Sequence, residues 1–211
     1  FVQYQEMMNY QHGSSFFMRF HRDVKNSGGM LITKSCHDLD LIGHFVGSRP
    51  ERVFSAQYKR MFGRGGPEAR PQCHTCDRTA DCEWDRMRTN RSRAAKRKYA
   101  KIYLDPDKVT TDGYFLDLCC WRDDTKLKDL SNILLEYENG VPACYTQTLF
   151  SPTSNRIVHV MGDNGSLICD ENARTVTVTD RWNAKVDRIE VRGGPDGHGG
   201  SDTGVVAAFF K

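Results

Sequence analysis

The chain has no apolar run close to the ~18 residues that a membrane-spanning helix needs, and its N-terminus carries neither a basic leader nor an apolar signal segment. A soluble, cytoplasmic protein is therefore the expectation, unless an export signal lies upstream of Phe1. The sequence starts at Phe1 rather than Met and stops inside the apolar run AAFFK, so a longer parent protein is expected. A large charge of one sign is also missing. Thirty Lys and Arg against 27 Asp and Glu leave a net charge of +3, too little to imply a nucleic-acid partner by itself. Nor does any G-x-G-x-x-G open a helix after a strand. GRGG at 63–66 lacks that spacing, which argues against a dinucleotide site within this chain.

What is present suits one ordinary domain over 1–211. Of the 211 residues, 38% are hydrophobic and 27% charged, enough apolar surface for a core that folds without staples. FVQYQEMM reads as a strand. It leads into a loop over 9–29 that is rich in His, Arg and aromatics but has no clean period. The spacing predicts a helix over 34–46, closed by Gly47, and ERVFSAQYKRMF then alternates as a strand should. Residues 63–110 read as an irregular insertion. They hold a Gly/Pro-rich turn, three cysteines within ten residues, the turn LDPDK, and RMRTNRSRAAKRKYAK, which has eight Arg or Lys and no acid. Such a stripe can neutralise phosphates. With one aromatic and no recognition motif around it, a solvated surface is the preferred reading.

From residue 130 onward the pattern is strands: two runs around Glu138-Asn139-Gly140, a strong tight-hairpin signal, then RIVHVMG, SLICD, RTVTVTD and VDRIEV between DNG and ENA turns. An antiparallel meander, covered on one face by the early helix and by the final TGVVAAFF run, makes the expected class α+β: an open, mainly antiparallel β-sheet with helices on one face. The other face would be free for self-association, so a homo-oligomer through it is expected.

The predicted helix has two faces. At 100° per residue Leu39, Ile42 and Val46 fall on one side, and His37, Asp40 and His44 on the other. With Thr33 or Ser35 as cap, the helix dipole would keep the His37 imidazole neutral and able to accept a proton. A polar solvent-facing surface and a metal site built from His37, Asp40 and His44 are the alternatives. His12, Arg19, His21 and Arg22 just upstream favour a functional pocket.

GGMLITKSCHDLDLIGHFVGSRPERVFSA resembles the signature that begins the C-terminal substrate domain of the Gfo/Idh/MocA family of NAD(P)-dependent sugar and cyclitol dehydrogenases. HGSSFFMRFHRDVKNSGG, CHTCDRTADC, DGYFLDLCCWRDD, ILLEYENGV and GPDGHGGSDTGVVAAFF resemble further segments of one branch in the same order. The resemblance thus covers nearly the whole chain. It implies an N-terminal Rossmann domain that binds NAD or NADP, a sugar or cyclitol substrate, and His37 as the acceptor of the hydroxyl proton, with the isolated domain inert. The family often has a carboxylate four residues before this histidine; here the position is Thr33, which puts the strength of the base in question, and Lys34 is the candidate to contact substrate or share the proton. By the same resemblance Arg19, His21, Arg22, His198 and Asp202 are candidate substrate contacts, and Asp40 joins them from the helix face that it shares with His37.

Cys73-x2-Cys76 and Cys82 can grip one tetrahedral ion, with Cys119 (or its neighbour Cys120) as a fourth ligand from a distant segment, so structural zinc is expected. Buried free thiols, a disulfide or an iron–sulfur cluster are the competitors. Cys36, Cys144 and Cys169 sit in apolar patterns and are expected in the core. Three functions follow: a sugar or cyclitol dehydrogenase, a relative that cleaves glycosides through transient oxidation by NAD, and a zinc-stabilised nucleic-acid-binding module.

Overall fold

The computed structural model describes residues 1–66, 69–73, 75–78, 82, 118–193 and 201–210. Most of the expected insertion, the basic run 86–101 and His198 lie outside the described residues. The described residues form an eight-stranded sheet: β1 (Val2–Asn9), β2 (Pro50–Tyr58), β3 (Leu130–Tyr137), β4 (Pro142–Ser151), β5 (Asn155–Met161), β6 (Gly165–Asp170), β7 (Thr175–Asp180) and β8 (Val186–Glu190). Its order is β2-β3-β4-β1-β5-β6-β7-β8. β1 is parallel to β4 and antiparallel to β5, and all other neighbours pair antiparallel. The sheet is therefore a meander with the first strand threaded into its middle. With helices α1 (Tyr10–Met18) and α4 (Cys36–Val46) on one face, the class is the expected α+β.

The alternation of β1 decides which face is covered. Val2, Tyr4, Glu6 and Met8 are buried and the residues between them are half-buried, as period-2 geometry requires. Beneath α4 these residues meet Ile42, Ile133, Tyr145 and Val158. Beneath α1, Met8 meets Phe16, Phe17, Phe62 and Leu149. Ile42 is fully buried, and Leu39 and Val46 pack beside it, which is the expected inward stripe.

Several local expectations are corrected. The segment 9–29 is mostly helical rather than a loop: α1, a 3₁₀ turn (Phe20–Arg22), and the short α2 (Val24–Ser27), with α3 (Met30–Thr33) following. Its period was hidden because α1 buries every residue from Gly13 to Met18, leaving no polar face to mark one turn from the next. Asn9 caps α1 by accepting from the His12 amide. Gly13 lets α1 lie against β4, since a Cβ there would sit 1.7 Å from the Leu149 carbonyl oxygen. In the β3–β4 hairpin only Gly140 takes a positive φ. The connection is thus a three-residue loop ending in a left-handed glycine rather than a primed Asn-Gly turn.

β2 ends at Tyr58 rather than at Phe62, because the Asp129 carboxylate accepts from the amides of Arg60, Met61 and Phe62 at 2.6–2.8 Å and bends the chain there. Neither Thr33 nor Ser35 caps α4. Thr33 Oγ1 donates to the Ser27 carbonyl, and Ser35 turns inward to Tyr145. Gly47 closes α4 as expected, its amide donating to the Gly43 carbonyl. The final apolar run forms α5 (Ser201–Phe209), but residues 203–210 are exposed, so α5 covers no part of the sheet.

Candidate active site at the start of α4

The turn that leads into α4 stands over a buried polar cluster. Glu6 occupies the covered face of β1, and its register partner on β5 is Arg156. Arg156 Nη2 donates to Glu6 Oε1 at 2.9 Å, and its Nε donates to Asp38 Oδ1 at 3.1 Å. The Tyr145 hydroxyl lies 2.8 Å from Asp38 Oδ2, 3.0 Å from Ser35 Oγ and 3.2 Å from Glu6 Oε2. Tyr4 donates to Asp38 Oδ1 at 2.9 Å, and Gln147 Nε2 donates to Glu6 Oε2 at 2.7 Å. Glu6 and Asp38 are 3% and 1% exposed, so this is a charged cluster inside the fold whose polar groups are satisfied from four elements. Burial first, and the nearby Asp38 carboxylate second, push the Glu6 pKa above the ordinary carboxylate range, against the pull of Gln147 and Arg156. Burial and the two carboxylates raise the pKa of the Tyr145 phenol, which stays protonated.

Lys34 joins the cluster to its surroundings. Its ammonium is 3.9 Å from Glu6 Oε1 and its side chain is 22% exposed. His12, stacked on Phe16 with ring centroids 5.5 Å apart, is also within electrostatic reach. Although part of its surface is open, desolvation by the surrounding protein, helped by Lys34, Arg19 and Arg156, lowers its pKa. It is the neutral imidazole beside a group of cations.

The sequence-predicted residues divide. Lys34 belongs to the cluster. His37 is exposed in the first turn of α4, and its imidazole makes no hydrogen bond or ion pair among the described residues. Asp40 and His44, on the same helix face, line a different feature. This is a mainly apolar cleft of about 630 Å³ between α4 and strands β2 and β3, floored by Val53, Ile133 and Leu135. Arg19 is half-buried. His21 is held between Phe16 and Phe20, and burial followed by Arg19 lowers its pKa. Arg22 is buried and pairs with Asp124, while its carbonyl accepts from Thr125 Oγ1; these contacts tie 20–22 to the segment 122–125. Asp202 lies in the first turn of α5, with its side chain outside the described residues.

The cysteines do not assemble as expected. Cys73 and Cys82 pack against the cluster that contains the buried Cys120, and Cys119 is Cys120's chain neighbour. Burial and these three thiols push the Cys120 pKa up. The Cys76 sulfur accepts from the Arg78 amide. Among the described residues no three His, Cys, Asp or Glu come together as a metal site, so the zinc set Cys73, Cys76, Cys82 and Cys119 has no structural support, and neither has one from His37, Asp40 and His44. Cys36 is exposed rather than in the core, and Cys144 and Cys169 are half-buried.

Glu6, Asp38, Tyr145, Gln147 and Arg156 were not among the candidates. Their signal was in the sequence: Glu6 shares the strand phase of Val2, Tyr4 and Met8, and Asp38 precedes the buried Ile42 by one helical turn. A charge in an apolar phase is buried or misplaced, and a buried charge requires partners.

Residues 6–168 match the GFO/IDH/MocA C-terminal domain. The chain belongs to that family. This GFO/IDH/MocA C-terminal domain is 24% identical over 216 residues to YteT of Bacillus subtilis (strain 168), an oxidoreductase by name. That alignment takes in 94% of this chain but 50% of YteT. The chain spans about half the length of the curated relative it matches. Among solved structures it resembles UDP-N-acetylglucosamine 3-dehydrogenase GnnA from Acidithiobacillus ferrooxidans, with a TM-score of 0.53, 10% identity, and coverage of 99% of this chain and 44% of that one. It also resembles an oxidoreductase domain protein from Kribbella flavida, with a TM-score of 0.51, 16% identity, and coverage of 89% and 40%. At these identities the two structures establish a shared fold. No helix among the described residues of this domain is long and apolar enough to cross a membrane.

Proposed function

We propose that this chain is the substrate-binding and catalytic half of an NAD(P)-dependent dehydrogenase acting on a sugar or cyclitol. The observation that carries the reading is the start of α4: an exposed imidazole, His37, three residues after Lys34, whose ammonium is anchored over a buried carboxylate. Membership of an oxidoreductase family gives that arrangement its chemical direction.

In this reading a preceding Rossmann domain would hold most of the nicotinamide cofactor, whose chemistry would be to take up hydride from a carbinol carbon. His37 accepts the proton of the hydroxyl that is oxidised, its imidazole open to the incoming substrate. No carboxylate precedes it by one turn; Thr33 is there, with its hydroxyl committed to the Ser27 carbonyl. The His37 imidazolium formed in the step therefore lacks a carboxylate from that position. Lys34 lies on the same turn, where its ammonium stabilises negative charge growing on the substrate oxygen. Arg156, fixed by Glu6, Asp38 and Glu171, holds the floor of the site rigid. The isolated chain is inert, because the reading places the cofactor's principal site on another domain. The uncovered sheet face, with Phe54 and Leu134 exposed on neighbouring strands, supports self-association there.

The test uses the full-length protein with NAD⁺ or NADP⁺ and a panel of sugars and cyclitols. At least one should drive nicotinamide reduction. His37→Ala should then cut turnover by about 10²–10⁴-fold with cofactor affinity nearly unchanged. Aglycone release without net reduction of the cofactor would replace this reading with glycoside cleavage.

A further inference from the structure

The hydrogen-bond count at Tyr145 does not close if every acid in the cluster is ionised. A phenol hydroxyl has one proton to give and two lone pairs to accept with, and Tyr145 has three oxygen neighbours. Its shortest contact, 2.8 Å to Asp38 Oδ2, takes the proton. Ser35 Oγ at 3.0 Å can donate to one lone pair. The remaining neighbour, Glu6 Oε2 at 3.2 Å, then faces a lone pair and needs a proton of its own to make a bond rather than a repulsion. Gln147 does not compete for that role, since a protonated Oε2 still accepts its amide.

The charged surroundings of Glu6 come from every element packed on it. The groups that face Glu6 are Arg156 from β5, Lys34 from the turn before α4, Asp38 from α4, Tyr145 and Gln147 from β4, and Tyr4 from its own strand through Asp38. His12 from α1 lies beyond Lys34 and is held neutral, and Glu171 pairs with the outer face of Arg156. Two cations, Lys34 and Arg156, meet two buried carboxylates, Glu6 and Asp38, while the exposed Glu171 draws on Arg156 from the solvent side. The charges alone therefore leave Glu6 free to carry a proton or not, and the hydrogen-bond count at Tyr145 places one there.

We propose that Glu6 is a positioning residue for Lys34. It shares one proton with Asp38 through the Tyr145 hydroxyl, and the presence of that proton on Glu6 releases Lys34 toward the substrate while its loss draws Lys34 down to the sheet. The exchange is balanced: as Glu6 gives its proton to the Tyr145 oxygen, Tyr145 gives its own to Asp38, and the phenol is unchanged. The role rests on the reading that the substrate pocket opens over Lys34, but the proton sharing does not.

The test needs no substrate. In the full-length protein, lysines are reductively methylated with ¹³C-formaldehyde, and the Lys34 signal is identified by its loss in Lys34→Arg. Its chemical shift should show an inflection above about pH 4.3, the ordinary glutamate value. Glu6→Gln should remove the inflection, Glu6→Asp should keep one, and Asp38→Asn, which removes the like charge, should move it down by about one pH unit or more. An inflection that survives Glu6→Gln, or none in the parent protein, overturns the proposal. If Glu6→Gln fails to fold by thermal melting, the direction of the Asp38→Asn shift decides, and no downward shift overturns it. Failure of the dehydrogenase reading looks different: no polyol-dependent cofactor reduction, with the inflection in place.

Discussion

The two halves of the sheet meet solvent in different ways. Over β3, β4, β1 and β5 the covered face carries α1 and α4, and Tyr4, Tyr145, Ile133 and Leu149 are almost completely buried. Strand β8 has every residue exposed, Val186 and Ile189 at 58% and 54%, and Trp182 in the preceding turn at 78%. Charge follows cover. Glu6, Asp38 and Arg156 interact under the helices, while Asp187 on β8 pairs with Lys185 in open solvent. An exposed pair of that kind contributes about 0–1 kcal/mol. A buried carboxylate is far more consequential, because its partners are buried with it. The covered half therefore holds the buried core and the candidate site, and substitutions should sort by which half they touch.

Asp38→Ala should be the most damaging. It leaves Arg156 and two tyrosine hydroxyls without their shared acceptor, and a loss of about 3 kcal/mol is expected in denaturant unfolding. Gly13→Ala comes next, at about 1–3 kcal/mol, since the added Cβ collides with the Leu149 carbonyl and must push α1 off β4. Glu6→Gln should depend on pH. The folded-state pKa of Glu6 is raised, so the stability it contributes is full below the unfolded value of about 4.3 and is lost as pH rises through the folded one. The non-titrating variant should thus gain on the parent protein as pH rises across that window, measured by melts at a series of pH values. Ile189→Thr on β8 should change stability by no more than about 0.5 kcal/mol. A loss as large as that of Gly13→Ala would mean that β8 is covered in solution and would break the contrast between the halves.

The same contrast explains what could be read from sequence. Strands β5–β8 were legible because one residue in two stayed polar and Asp-Asn-Gly and Glu-Asn-Ala marked the turns. The inward stripe of α4 was legible for the corresponding reason at period 3.6. α1 was not, because burial on all sides removes the alternation by which a helix is recognised. At the site, His37 stands out by its place on the helix and Lys34 through the family resemblance; the structure leaves His37 exposed and Lys34 half-buried beside Glu6. The polar cluster beneath them is harder to read, because Glu6 and Asp38 show themselves only as charges in an apolar phase and their partners lie far away in sequence. Ser35 was assigned a capping role that its position permits, but the Tyr145 hydroxyl, 110 residues away in sequence, competes for it. No local pattern reports such a partner. The zinc expectation gained no support for a similar reason: cysteine spacing allows a shared ion, but bringing the thiols together depends on contacts distant in sequence, and no such group forms among the described residues.

In the proposed reaction His37 accepts the substrate proton from an exposed position supported by the buried cluster. The most direct measurement is turnover by the full-length protein and its His37→Ala variant, with the sugar or cyclitol that reduces its nicotinamide cofactor. A fall of about 100-fold or more, at unchanged cofactor affinity, is the predicted result. Turnover within a few-fold of the parent protein would contradict it and remove His37 from the chemistry.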